Sequence, residues 1–188
     1  MKIMKKELIS TLKTAEINFL MSIMEIDPSI ITKQIQEDVN HIAWIFGHCV
    51  SHFDNYLAMF TENAILAEDE DEYYSYGVKK EKVRTYPFSF RDLVEKHLKI
   101  SERYLQKLES LSEAKFKEKP NEEAIESLAD MIKRLTLHIM GHTGQIVILR
   151  RMFGNPYWSF VGGIQQEQRS VLRKKWNVWW NESKNSFD

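Results

Sequence analysis

The chain has 188 residues, with 26 Lys and Arg against 27 Asp and Glu for a net charge of −1; this suits one domain over residues 1–188 and excludes the basic excess of a nucleic-acid module. Hydrophobic residues make up 43% and charged residues 28%, enough apolar material for a core and too much for disorder. Only 7 Gly and 4 Pro occur, about half the usual share, so the chain is expected to be mostly helical.

Leu8, Leu12, Ala15, Phe19 and Ile23 are spaced four, three, four and four apart and predict a first amphipathic helix, stopped by Asp27-Pro28-Ser29. Helical spacing resumes from Asn40 to about Asn63 with Ile42, Phe46, Cys49, Phe53, Tyr56, Leu57 and Phe60; Asn40 is the expected N-cap, with Asp38 competing. A long connector over 61–88 follows. It holds five consecutive acids from Glu68 to Glu72, then Tyr73 and Tyr74, then a basic run from Lys79 to Arg84. The acid run reads as a solvated loop, and a connector this long either crosses over a bundle or covers a site.

Ser89 with Asp92 three residues on forms a capping-box pattern that opens a third helix, striped by Phe90, Leu93, Val94, His97, Leu98, Tyr104, Leu105 and Leu108. Pro120-Asn121 breaks it. Ser127 with Asp130 opens the most periodic segment, Leu128, Met131, Leu135, His138, Ile139, His142, Ile146 and Leu149, which runs to Gly154 as a natural C-cap. A last helix from about Gln165 carries Leu172, Trp176, Trp179 and Trp180. Four principal helices of this length are expected to pack as an antiparallel bundle, with the aromatic helix laid across it or used as a partner surface; packing is the commoner use of such a stripe.

The single cysteine, Cys49, permits no internal disulfide and reads as a small core residue. Lys13 and Glu16 interrupt any apolar leader core, and no run of about 18 apolar residues occurs, so a cytoplasmic protein with no membrane partner is expected.

Five of the six histidines fall on two helices: His41, His48 and His52 on the second, His138 and His142 on the fourth. His138 and His142 are spaced i, i+4, which brings two imidazoles to one helix face, suited to one metal ion. A lone core histidine is more often a hydrogen-bonded structural residue, but two buried together each need partners for both nitrogens. A third ligand would come from His48 or His52, and spacing alone does not choose between them. His48 stands about 13 residues, or roughly 20 Å, from the far end of its helix and His138 about 11 residues into its own, so antiparallel helices would bring them to one level.

Other chemistries fail on spacing. His138 is followed by Ile139-Met140-Gly141, with no glutamate where a zinc protease needs it. No carboxylate precedes His138 or His142 by three, as a di-iron bundle requires. Cys49 points about 100° away from His48 and cannot pair with it. Paired core carboxylates for glycosidase chemistry are absent.

The run Asn40-His41-Ile42-Ala43-Trp44-Ile45-Phe46-Gly47-His48, followed by Tyr56-Leu57, resembles the second-helix motif of the DinB-like superfamily. Leu137-His138-Ile139-Met140-Gly141-His142-Thr143-Gly144-Gln145-Ile146, with Leu149-Arg150 beyond, resembles its His-x-x-x-His-x-Gly-Gln helix. The likeness covers most of the chain in helix order and is looser after Pro156. It implies an all-α four-helix bundle, up-down-down-up, with the long connector as crossover between helices two and three and a further C-terminal helix. It also implies a divalent metal, zinc first and nickel or iron next, on His48, His138 and His142. His52 then becomes a pocket residue, and Gln145 orients a ligand or a bound water.

Three protein nitrogens leave a coordination position open, as catalytic sites do. Some relatives are thiol-dependent transferases or isomerases, so the resemblance implies a small-molecule substrate and a low-molecular-weight thiol; hydrolase chemistry is a further option, and homodimers are common in the family. The alternative is a non-catalytic stress-response or ligand-binding protein in which the metal is structural. Three of the seven glycines, Gly47, Gly141 and Gly144, fall inside predicted helices within two residues of His48 or His142, where each costs up to about 1 kcal/mol relative to Ala. They are expected to admit a close approach or leave room over the metal.

Overall fold

The computed structural model describes residues 3–61, 63–156 and 161–188. Its long helices are α1 (Ile3–Ile23), α2 (Ile42–Thr61), α5 (Phe90–Ser110), α6 (Leu128–Met152) and α7 (Gln166–Ser183), and two short ones, α3 (Glu68–Tyr74) and α4 (Lys80–Val83), lie in the connector. There is no strand among the described residues.

Local chemistry sets the ends. α1 ends at Ile23, earlier than Asp27-Pro28-Ser29, with Glu25 just beyond it in a left-handed conformation (φ +56°), and Asp27 Oδ1 accepts from Ser29 N–H at 2.9 Å to cap the short turn Pro28–Ile30. Ser89 and Ser127 accept from the N–H of Asp92 and Asp130, as the capping pattern requires. Gly154 takes φ +74° just after α6, a left-handed conformation that ends the helix. At the start of α2 the cap position falls on His41, one residue beyond the expected Asn40. The His41 ring does this job, with Nδ1 accepting from Trp44 N–H at 3.0 Å and Nε2 bonding to the Val83 carbonyl at 3.0 Å.

Contacts along the helices give their directions. Lys5, at the start of α1, donates to the carbonyls of Glu109 and Leu111 near the end of α5, so α1 and α5 are antiparallel. Arg150, near the end of α6, donates to the carbonyls of Ser22 and Met24 at the end of α1, so those two run parallel. Between α2 and α6, His48 meets His142 at 5.1 Å, His52 meets His138 at 4.2 Å, and the Arg134 guanidinium lies 5.6 Å above the Tyr56 ring; numbers rise on one helix as they fall on the other. Phe46 with Phe90, Phe53 with His97 and Phe60 with Tyr104 rise together, so α2 and α5 are parallel. The bundle is up-down-down-up.

Two parallel consecutive helices need a connection that returns the full length of the bundle, and this dictates what the 61–88 segment does. It runs back along α2, bonded rung by rung. Asp54 accepts from Ile65 and Leu66 N–H, Ser51 donates to Asp71 at 2.5 Å, His48 bonds the Tyr74 carbonyl and Trp44 Nε1 the Tyr73 carbonyl. The acid run is therefore the short helix α3 and not a solvated loop. Glu70 is buried, salt-bridged to Lys96 at 2.5 Å and bonded to Ala67 N–H at 2.9 Å. Its neighbours' charges still reach water, which is why the segment reads as hydrophilic.

Residues 15–23 of α1 are buried on every side, because α7 covers the face that α5 and α6 leave open. Trp176 Nε1 donates to the Leu20 carbonyl at 2.9 Å, Trp180 Nε1 to Glu95 at 2.8 Å, and Arg173 pairs with the buried Glu16. The tryptophan stripe is packing. No helix among the described residues is long and apolar enough to cross a membrane.

Candidate metal centre

The α2 and α6 faces that meet at mid-bundle carry the histidines. One nitrogen from each of His48, His138 and His142 lies within 4.8 Å of the other two, so the group could hold a metal ion. Ring centroids are 5.1 Å apart for His48–His138 and His48–His142 and 4.4 Å for His138–His142. His52 stands beside them, 4.2 Å from His138 and 4.7 Å from His48.

Hydrogen bonds orient two of the rings. His48 Nδ1 donates to the Tyr74 carbonyl at 2.7 Å, and His142 Nδ1 donates to Gln145 Oε1 at 2.7 Å, so in both rings Nε2 carries the lone pair. Trp44 stacks on His48 at 4.9 Å with an interplanar angle of 11°. His138 Nε2 is buried with no hydrogen-bond partner among the described residues, an exception to the rule that buried polar atoms are paired. A metal ion would answer it. Two tied-down imidazoles with outward lone pairs and one orphaned nitrogen fit a divalent cation, because metal-bound histidines generally give their other N–H to a carbonyl or similar acceptor.

Electrostatics keep these rings neutral. Burial lowers the His138 pKa to about 3, helped by the neighbouring imidazoles and Arg134, and burial with the nearby His48 and His142 lowers His52 to about 4. His48 and His142 are also lowered by burial, against the opposing pull of the Tyr74 carbonyl and of Gln145. Near neutral pH all four offer unprotonated nitrogens.

Gly47 explains how the crossover comes close enough. A Cβ at this position would lie 2.0 Å from Tyr74 Cε1, so glycine is needed for the ring to pack there. Gly141 is exposed and a Cβ there would meet nothing within 4 Å, so no close approach in the structure requires this glycine. A cavity of about 440 Å³ opens one turn from His48 and His142, walled by Ile35, Val39, Ile45, Ile148 and Met152 and sharing Gln145 with the cluster.

His41 lies at the α2 cap, away from the cluster. His97 is fully buried among Phe19, Phe46 and Phe53 and does not reach it, and Tyr76 is 94% exposed. The rings of Tyr73 and Tyr74 pack with Phe88, and Tyr74 meets His48 through its carbonyl. Cys49 is buried, and burial pushes its thiol well above the usual range. Sequence reasoning missed the Tyr74 carbonyl and the Trp44 stack; the helical glycine beside His48 was their one visible trace.

The family model of the DinB superfamily matches residues 11–146. No curated protein matches the chain. The matched span is more than half of the sequence and contains α2, the crossover and the histidines of α6 up to Ile146, so the fold and the motif agree: the chain belongs to the DinB superfamily.

Proposed function

We propose that the protein is a metal-dependent enzyme in which His48, His138 and His142 hold a divalent ion, zinc first and nickel or iron as alternatives, with a small thiol or other small-molecule substrate at the open position. The observation that carries this is the buried, unpartnered His138 Nε2 between two imidazoles whose Nδ1 atoms are already engaged. The chemistry such an ion supplies is acidification of a thiol or water, giving a nucleophile near neutral pH. The Tyr74 carbonyl and Gln145 hold His48 and His142 in the required tautomer, and Trp44 shields His48 from solvent. The apolar wall around Ile45 and Ile148 accommodates the body of the substrate beside the cluster.

Cys49 is the only cysteine and is buried, which supports a reducing, cytoplasmic setting and a thiol supplied from outside the chain. Leu137, Ile148 and Met152 are exposed along α6, and a second copy packed on this face would make the homodimer and roof the cavity that Ile148 and Met152 line. Elemental analysis of the purified protein should find one divalent ion per chain, and His138→Ala should abolish it; metal-free wild type, or unchanged affinity in the variant, would end the reading.

A second reading makes the ion structural, in a stress-response or ligand-binding protein, and is favoured by the way the cluster ties α2 to α6. A large chelator-induced drop in melting temperature, with no turnover in thiol-transfer or hydrolysis screens, would select it.

A further inference from the structure

His52 has no assigned part in the cluster, yet its ring is nearer to His138 (4.2 Å) than any ring of the triad is to another. Every other histidine on α2 is held by a hydrogen bond: His41 by Val83 and Trp44, His48 by Tyr74. The His52 ring makes none among the described residues, and its close ring contacts are with two imidazoles. Polar groups that might have held it are used elsewhere. Asn55 and Ser51 bond Asp71, and Arg134 pairs with Glu126 while covering Tyr56. The ring is thus placed by packing against its neighbours and not by a hydrogen bond.

The four rings form a closed quadrilateral, with sides of 4.7, 4.2, 4.4 and 5.1 Å in the order His48, His52, His138, His142. Imidazoles on one tetrahedral ion have centroids about 5 Å apart, since each nitrogen sits about 2.0–2.1 Å from zinc and the ring centre about 1 Å further. Every side of the quadrilateral is within 1 Å of that value. No ring contact joins His52 to His142, and the 4.8 Å nitrogen group omits His52, so His52 reaches the others only by rotation.

We propose that His52 is a displaceable fourth ligand: without substrate its imidazole turns in and closes the open coordination position, and an incoming thiolate displaces it. This rests on the metal-centre reading above. The exchange is ligand for ligand. One nitrogen leaves, one sulfur enters, and the thiol proton passes to buffer. Thiolate is the class of ligand that fits, because soft sulfur competes well with imidazole for zinc, whereas neutral water does not.

The test uses the full chain loaded with cobalt(II), whose visible bands report coordination, together with pulsed EPR of the copper(II) form, which counts bound imidazoles without any variant. Wild type should show four imidazoles and intense four-coordinate cobalt bands. His52→Ala and the size-conserving His52→Gln should show three imidazoles, cobalt bands shifted from those of wild type and a several-fold lower zinc affinity. On addition of cysteine as the thiol probe, all three proteins should converge on one sulfur-to-cobalt charge-transfer spectrum. Three imidazoles in wild type, or identical cobalt spectra in wild type and both variants, would overturn the role of His52 and leave the triad standing. Failure of wild type to bind any of these ions would instead overturn the metal centre itself.

Discussion

Replacing Gly47 by alanine tests how the crossover sets the histidine cluster. The new Cβ would stand 2.0, 2.3 and 2.4 Å from Cε1, Cδ1 and Cζ of Tyr74. Carbon contacts settle at about 3.5–4.0 Å, so the ring must retreat by about 1.5 Å. The same residue supplies the carbonyl that His48 Nδ1 contacts at 2.7 Å; if the backbone follows the ring, that separation grows to about 4 Å and the bond is lost. Alanine gains about 1 kcal/mol of helix propensity, against about 1–3 kcal/mol for overpacking and about 1 kcal/mol for the hydrogen bond. The net expectation is a loss of about 1–3 kcal/mol, or a melting temperature lower by about 2–12 °C. Metal affinity should fall about ten- to hundred-fold, as it does when a ligand's outer hydrogen bond is removed. The assay is competition against a chromogenic chelator, with thermal melts by far-UV circular dichroism alongside. Tyr74→Ala added to Gly47→Ala removes the clash and keeps the carbonyl, so the double variant should recover most of the affinity. Wild-type affinity in a folded Gly47→Ala protein, or no recovery in the double variant, would refute the reasoning.

Other expectations are simpler. Gln145→Ala should weaken metal binding about ten-fold or more with little change in melting temperature, because Gln145 is exposed and its one structural duty is the His142 bond. Arg150→Met should do the reverse: the buried guanidinium serves the carbonyls of Ser22, Met24 and Glu25, and losing it should cost about 3 kcal/mol or more while metal affinity holds. Burial, with Arg173 adding, depresses His97 to about 3, and Glu16 at 3.8 Å is already committed to Arg173. A pKa lowered on folding gives stability that is full above the unfolded value and lost as pH falls toward the folded one. The metal-free protein should therefore weaken between about pH 6.5 and 3, and His97→Leu should remove up to one proton from that slope in urea melts; an unchanged slope would count against it.

The sequence made the long helices legible because their signals are local: stripes at helical spacing, Ser caps, Asp27-Pro28 and Gly154 act within a turn of where they stand. The His138/His142 pair was visible for the same reason. What stayed hidden depends on partners far along the chain. The acid run looked like a solvated loop because its anchors, Lys96 to Glu70 and Ser51 to Asp71, lie 26 and 20 residues away. The His41 cap is not legible because an imidazole is an unusual N-cap, and the acceptor for His48 is a backbone carbonyl, which has no residue identity to read. Only Gly47, tolerated in a helix despite its cost, marked the place.

The order in which the cluster can assemble is written into the crossover. Tyr74 lies 26 residues after His48, so once α3 has closed on α2 the first imidazole is already turned and its tautomer chosen. That half of the site needs no hydrogen bond from α6, whereas the other half, His138 and His142, comes from α6 alone. Contact of α6 with α2 is then what completes the three-nitrogen group. Metal uptake should therefore require α6 docked on α2, and conditions that separate the two helices should release the ion while leaving the Tyr74 bond to His48 intact.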